Sequence, residues 1–376
     1  MIGPVELEKR RQELRAYFGT NHCFLVSSGK AALTLILQAL KDVHPDRDQV
    51  LIPAFACYSI PSAITRAGLT VQLCDIDPAT LDFDYAQLED KLANSRLLCV
   101  LPIHLFGLPA DIDRLKQLRR DPAVCIVEDA AQAMGGEWQG RKLGTRGDVG
   151  FFSLGRGKAL TAVEGGIIIT DDDRLAGALA THVAMLPECG IGTSVKQLIS
   201  AIALMLLLRP ELFWIPKAMP FLRLGETIYD PDFPMRGFSA FQAGLLVGIA
   251  NKLESLRRTR REHIRFWITN LSSPIAGRNT VPQDPPDLLR FPVRMPDSHA
   301  IDRILAASGH AGLGLARTYP DAINGIPQLR DQLAGQDCPN ARRAAQELIT
   351  LPVHGFLTTE DRMHILQIYA QHLQEA

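Results

Sequence analysis

Asp129 and Lys158 are the two side chains whose type and setting suggest shared chemistry. The run Val124-Cys-Ile-Val-Glu-Asp is apolar over a strand's length and ends in two acids, Glu128 and Asp129. A second apolar run, Val149-Gly-Phe-Phe, ends at Ser153 and opens into the glycine-rich Leu-Gly-Arg-Gly-Lys158, with Glu164-Gly-Gly beyond it. A carboxylate and an amine are therefore presented at two strand ends. A lysine in such a loop can serve as a phosphate cation, a general base or a Schiff-base nucleophile.

The acid on the neighbouring strand narrows those roles. Pyridoxal 5′-phosphate (PLP) requires such a pair: an amine for the imine, and an acid that keeps the pyridine nitrogen protonated as an electron sink. Asp129 alone reads equally as a helix cap or an ion-pair partner. The third requirement, a seat for the phosphate, has a candidate where Cys23-Phe-Leu-Val runs into Ser27-Ser-Gly-Lys30 and then the apolar run Ala31 to Leu40. This is strand, tight turn and helix. The backbone N–H groups of such a helix start, with Ser28 and Gly29 in the turn, form an anion site; a plain N-cap is the other reading of the same residues.

The elements that must hold these groups follow from periodicity. Strands are expected at 23–26, 49–53, 70–74, 97–103, 123–127, 148–153 and 166–170, with helices between most of them. Short Val/Ile/Leu-rich strands separated by helices predict an α/β fold with a mainly parallel seven-stranded sheet buried on both faces, whose ligands sit beyond the strands' carboxyl ends. Those ends carry Ser27 to Gly29, Ala54 to Ser59, His104, the Glu128-Asp129 pair and Ser153 to Lys158. A lead-in helix is expected over 5–17, and a Pro- and Asp-rich loop over about 275–290 leads into a smaller α+β region. The expected division is a large domain over 1–250 and a small one over 251–376.

Two stretches stand apart. Residues 195–222 form an apolar insert whose unbroken part, from Ile199, is shorter than the ~20 residues that span a bilayer. A buried or subunit-facing helix is one reading, and a surface that meets a membrane or a lipid-linked substrate is the other. The run Arg257-Arg-Thr-Arg-Arg-Glu-His reads as a solvated helix face. Lys plus Arg total 40 against 41 Asp plus Glu, a net charge of −1 without a basic block, which excludes a nucleic-acid footprint. The seven cysteines are scattered singly, with neither paired metal spacing nor a secreted disulfide pattern, and the charged N-terminus carries no secretion signal. A cytoplasmic protein with reduced thiols and no metal site is expected.

Read together, Glu128-Asp-Ala-Ala-Gln-Ala, Gly147-Asp-Val-Gly-Phe-Phe-Ser153, Lys158 and Glu164-Gly-Gly resemble the signature of the DegT/StrS-type PLP-dependent nucleotide-sugar aminotransferases. The resemblance extends through Ser28-Gly-Lys-Ala-Ala-Leu, Pro53-Ala-Phe-Ala-Cys-Tyr-Ser, His104-Leu-Phe-Gly, Ser239-Ala-Phe-Gln-Ala, Tyr319-Pro and Leu351-Pro-Val-His354. It implies PLP fold type I, the aspartate-aminotransferase-like fold, and a homodimer with a shared active site. It further implies that Lys158 carries the internal aldimine, that Asp129 pairs with the pyridine nitrogen, and that Gln132 lies near the cofactor's 3-oxygen. Ser28, Gly29, Lys30 and Ser153 would hold the phosphate. His104 is placed near the ring as a catalytic candidate, with a satisfied structural histidine as the equal alternative.

The implied reaction moves an amino group, from a donor such as glutamate, to a keto sugar carried on a nucleotide. A sugar dehydratase and a non-catalytic regulatory relative are the alternatives, and Lys158 favours transfer because the family's dehydratases characteristically lack it. The chain departs from the pattern at Lys30, where the family commonly has Thr; at Cys57 and Tyr58, either of which could cover the ring; and at Met235-Arg-Gly-Phe, which replaces an Asn-x-Arg.

Overall fold

The computed structural model describes residues 3–207, 227–271, 286–295 and 297–374. Its main sheet is built from β1 (His22–Val26), β2 (Gln49–Pro53), β3 (Thr70–Cys74), β4 (Leu97–Val100), β5 (Cys125–Asp129), β8 (Val149–Ser153) and β9 (Gly166–Thr170). A two-residue hairpin, β6 (Glu137–Trp138) and β7 (Arg141–Lys142), lies between β5 and β8. The sheet order is β1-β9-β8-β5-β4-β2-β3, parallel throughout except that β9 runs against both of its neighbours. This is the expected seven-stranded, mainly parallel α/β sheet. Because β9 is reversed, it begins where β1 and β8 end, with Gly166 opposite both Val26 and Ser153.

Two strand limits differ from expectation. β4 stops at Val100 rather than 103, since Pro102 has no N–H for the ladder, and pairing resumes only as an isolated bridge from Ile103 to Asp129. β5 starts at Cys125 because an Asp121 turn takes up the N–H of Ala123 and of Val124; the strand then runs on to Asp129, so both acids belong to it.

Helices α1 (Gly3–Phe18), α2 (Gly29–Val43), α3 (Ser59–Arg66), α4 (Tyr85–Leu92), α5 (Ile112–Leu118) and α6 (Asp173–Ala184) precede or connect these strands. In α2, Leu33, Ile36, Leu37 and Leu40 recur at helical spacing and are all buried, each contributing about 1.5–3 kcal/mol. The helix packs on β8 and β9, which fixes its first turn above their site-side ends.

Then come α7 (Ile191–Leu207), α8 (Ala240–Leu245) and α9 (Ile249–Asn270). The C-terminal region carries an antiparallel sheet of β10 (Phe291–Arg294), β12 (Leu348–Leu351) and β11 (Ala316–Arg317), flanked by α10 (Ser298–Ala311), α11 (Pro339–Glu347) and α12 (Thr359–Gln374). Its core is continuous with that of the main sheet, Trp267, Phe291 and Ile349 sharing one buried cluster with Ile52 and Phe55.

The described part of the apolar insert is α7, and it is not buried within the chain: Val195, Leu198, Ile199, Ile202 and Met205 face outward. Residues 208–222 of that insert, and 275–285 of the Pro- and Asp-rich loop, lie outside the described residues. Among the described residues no helix is long and apolar enough to cross a membrane. All seven cysteines are free, and burial pushes the thiols of Cys23 and Cys74 up to about 12.

Candidate active site

Beyond the site-side edge of the main sheet lies a cavity of about 220 Å³. Its wall includes Ser28, Gly29 and Lys30 from the start of α2, Cys57, Asp129, Gln132, Ser153, Lys158 and Tyr319. Strand ends supply the reactive groups: β5 delivers Asp129, β8 delivers Ser153, and the loop after β8 delivers Lys158.

The seat at the start of α2 is tight. Ser28 is extended (φ −162°) and caps the helix, its Oγ accepting from the N–H of Ala31 at 3.1 Å. A Cβ on Gly29 would lie 2.9 Å from the Cβ of Ser153, so only glycine lets the Ser153 side chain reach the helix N-terminus. Gly166 is as constrained, since a Cβ there would meet the Ser28 carbonyl oxygen at 2.2 Å. The first-turn N–H groups of α2 have no acceptor within their own helix, and the helix dipole adds about half a positive charge at that point. Together with the Ser153 hydroxyl they can hold a phosphate.

The adjacent acids of β5 point to opposite faces and have opposite electrostatics. Burial raises the pKa of Asp129, against the opposing pull of the Ala131 N–H on Oδ1 (2.9 Å) and of the nearby Lys158 ammonium. Burial acts on Glu128 too, but there the His104 side chain and the N–H groups of Gly147 and Arg146 outweigh it and hold the carboxyl below its usual range. Gly144 N–H donates to the same carboxylate at 3.0 Å, so the glycine-rich loop before β8 is wrapped around Glu128.

Several sequence-predicted residues are placed differently. His104 is fully buried and does not line the cavity: its Nε2 lies 2.7 Å from Glu128 Oε2, and its Nδ1 accepts from the Ala110 N–H at 3.1 Å. With both ring nitrogens committed, it is the satisfied structural histidine and not a catalytic contact. Tyr58 turns away, donating to the Asp321 carbonyl at 3.2 Å, and Cys57 is the one of that pair that faces the cavity, with Sγ 2.6 Å from Ser59 Oγ.

Lys30 lines the cavity, but its ammonium lies 4.3 Å above the Phe233 ring and 3.5 Å from Asp230, aimed away from an anion at the turn. The Arg236 N–H donates to Ser27 Oγ at 3.1 Å and its carbonyl accepts from the Ser27 N–H at 3.0 Å, while its side chain donates to Thr193 at 2.8 Å. The arginine run at 257–261 is not simply a solvated face either: Arg257 and Arg261 both bind the buried Asp287, while Arg258 is exposed.

Tyr319 is a wall residue that periodicity could not assign. It is buried, and its Oη accepts from Gln132 Nε2 at 2.9 Å while Gln132 Oε1 accepts from the Phe106 N–H at 3.0 Å. Burial holds its phenol well above the ordinary range, so it remains a neutral hydroxyl with its own hydrogen to donate. The available signal was the Tyr319-Pro dipeptide, more than a hundred residues from the rest of the site in sequence.

Residues 5–369 match the DegT/DnrJ/EryC1/StrS aminotransferase family. This chain belongs to that family. It is 35% identical over 175 residues to GDP-perosamine synthase of Caulobacter vibrioides, 46% of each chain being aligned. It is 30% identical over 270 residues to L-glutamine:2-deoxy-scyllo-inosose aminotransferase of Streptoalloteichus tenebrarius, covering 71% of this chain and 57% of that protein. These alignments span about half the length of the curated relatives.

Among solved structures, DesV of S. venezuelae superposes with a TM-score of 0.76 at 24% identity, covering 97% of this chain and 88% of that one. An aminotransferase of Brucella abortus superposes at 0.74 with 21% identity, covering 99% and 91%. The fold is theirs.

Aminotransferases of this family depend on PLP. The cavity fits that molecule: a helix N-terminus beside a serine for the phosphate, a buried carboxyl that a cationic ring nitrogen would hold ionised, and a lysine amine on the same wall.

Proposed function

We propose that this chain is a PLP-dependent aminotransferase that moves an amino group, from a donor such as glutamate, to a keto sugar carried on a nucleotide. The observation that carries the reading is the convergence of Lys158, Asp129, Ser153 and the α2 N-terminus on one cavity. Names of relatives support the sugar: one of similar sequence is the dTDP-3-amino-3,4,6-trideoxy-alpha-D-glucose transaminase of Streptomyces venezuelae, 37% identical over 182 residues, covering 48% of this chain and 46% of that protein.

Bound in the cavity, PLP would supply the electron sink that makes a donor's α-hydrogen acidic and would carry the amino group between substrates. Asp129 would keep a proton on the ring nitrogen. Lys158 Nζ would hold the cofactor covalently and, once displaced by the donor, is the amine in reach to take and return the proton. Ser153 and the first turn of α2 would bind the phosphate, with Gln132 and Tyr319 orienting the ring's oxygen edge. Ile60, Ile103 and Phe151, also on the wall, keep water from the reacting groups.

The site lines up within one chain, and the reading extends to a homodimer in which a second copy completes the substrate side. Light scattering that returned the mass of a single chain would remove that part. The presence of Lys158 on the wall supports transfer over the dehydratase alternative. Lys158→Ala should lose the visible absorbance of bound PLP and essentially all turnover of glutamate with 3-keto or 4-keto nucleotide sugars. Retention of both would overturn the assignment.

A further inference from the structure

The loop that carries Lys158 is closed at its base, Leu154 N–H donating to the Gly165 carbonyl at 2.8 Å and Ala162 N–H to the Leu154 carbonyl at 2.9 Å. Between these closures the Lys158 N–H donates to the Gly155 carbonyl at 3.3 Å, and Thr161 Oγ1 donates to the Leu154 carbonyl at 3.2 Å while accepting from the Val163 N–H at 3.1 Å, which leaves the Ala159 and Glu164 carbonyls to partners outside the loop. Gly155 and Gly157 flank the approach to Lys158, and Gly157 stands at φ +74°. At the far side Val163, a β-branched residue, is held at φ +72°, a conformation that persists only where surrounding contacts impose it.

Two side chains from outside the loop hold it from either side of Val163. Arg260 of α9 donates from Nη2 to the Ala159 carbonyl at 2.8 Å. Gln242 of α8, itself fully buried, donates from Nε2 to the Glu164 carbonyl at 2.7 Å, while its Oε1 accepts from the Ser239 N–H in a capping box. The Ser239 hydroxyl in turn donates to Gln197 of α7, which ties that helix to the same support.

We propose that Arg260 is a positioning residue for Lys158: its guanidinium fixes the carbonyl of the very next residue, and Gln242 fixes the loop's other end. Arg257 and Arg261 on either side are committed to Asp287, so α9 presents Arg260 to the loop from a rigid base. The inference rests on Lys158 being the point of cofactor attachment.

Hydrogen–deuterium exchange on the PLP-free protein tests the grip without turnover. In Arg260→Ala, amides of 155–163 should exchange faster by on the order of tenfold or more, the loss of a hydrogen bond from a charged donor. Arg258→Ala, in the same run but exposed, should leave them unchanged, and Arg260→Lys should recover part of the protection. With PLP added, borohydride should fix less cofactor to Lys158 in Arg260→Ala, and kcat should fall by on the order of tenfold with little change in KM. If Arg260→Ala does not fold, Arg260→Met keeps the stem without the donors and carries the same comparison. Wild-type exchange in these variants, or equal acceleration by Arg258→Ala, overturns the proposal. A wild type that fixes no PLP at Lys158 overturns the cofactor reading instead, and the exchange data still decide the grip.

Discussion

Glu128 and Asp129 are adjacent acids on one strand, and their surroundings give them separate work. Glu128 is fully buried but met by three backbone N–H groups and the His104 ring, so its charge is stabilised and its pKa is depressed. A depressed carboxyl contributes stability above its unfolded pKa of roughly 4.3, and that stability is lost as pH falls through the folded value. Asp129 is the reverse. Its pKa is raised, so the folded state is favoured by its protonated form below roughly pH 4, and that contribution is lost as pH rises through the folded value. The two neutralising variants should therefore diverge in the PLP-free protein. Glu128→Gln should lose about 2–4 kcal/mol in urea titrations at pH 7. Asp129→Asn should melt at a higher temperature than wild type at pH 7, with the gain shrinking towards pH 4, while turnover falls by at least about a hundredfold. A destabilised Asp129→Asn would contradict this.

At the scale of elements, the site depends on α2 and β9 approaching within a distance that tolerates no side chain. Gly166 opens β9 directly under the Ser28 carbonyl, and Gly29 opens α2 against Ser153. Gly166→Ala must push the turn away from the strand, because the obstructing atom is backbone and cannot rotate aside. The expected loss is about 2–4 kcal/mol in stability, with weakened uptake of PLP, measurable by thermal melting and absorbance titration. Free uptake of PLP by a stably folded Gly166→Ala would mean that the phosphate seat is elsewhere.

The whole molecule supplies the last wall. Tyr319 reaches the cavity because the C-terminal region is tied to the main sheet: the Ile323 N–H donates to the Ala54 carbonyl at 2.8 Å, and the Leu73 N–H to Gln336 Oε1 at 2.7 Å. Asp75, just beyond β3, accepts from the N–H groups of Asn340 at 2.9 Å and Ala341 at 2.8 Å, capping α11 from across the molecule. Asp75→Ala leaves those donors buried and unpaired. It should lower the unfolding free energy by about 1–3 kcal/mol and weaken PLP binding although Asp75 lies outside the cavity; unchanged stability and affinity would show that the two regions hold together without it.

Periodicity was enough to read seven strands, their alternation with helices and the strand ends that deliver Asp129, Ser153 and Lys158, because those features depend on local apolar runs and on glycine spacing. The ordered motifs from Ser28 to Glu164 carried the cofactor chemistry as well. Long-range packing decided the rest. His104 had two equal readings until Glu128 and Ala110 claimed both ring nitrogens; Lys30 and Tyr58 pointed elsewhere once Asp230, Phe233 and Asp321 came into reach. Arg260 looked like one more charge on a solvated helix until α9 set it beside Ala159. In each case a side chain's direction is fixed by partners distant in the chain, and one-dimensional spacing carries no record of them.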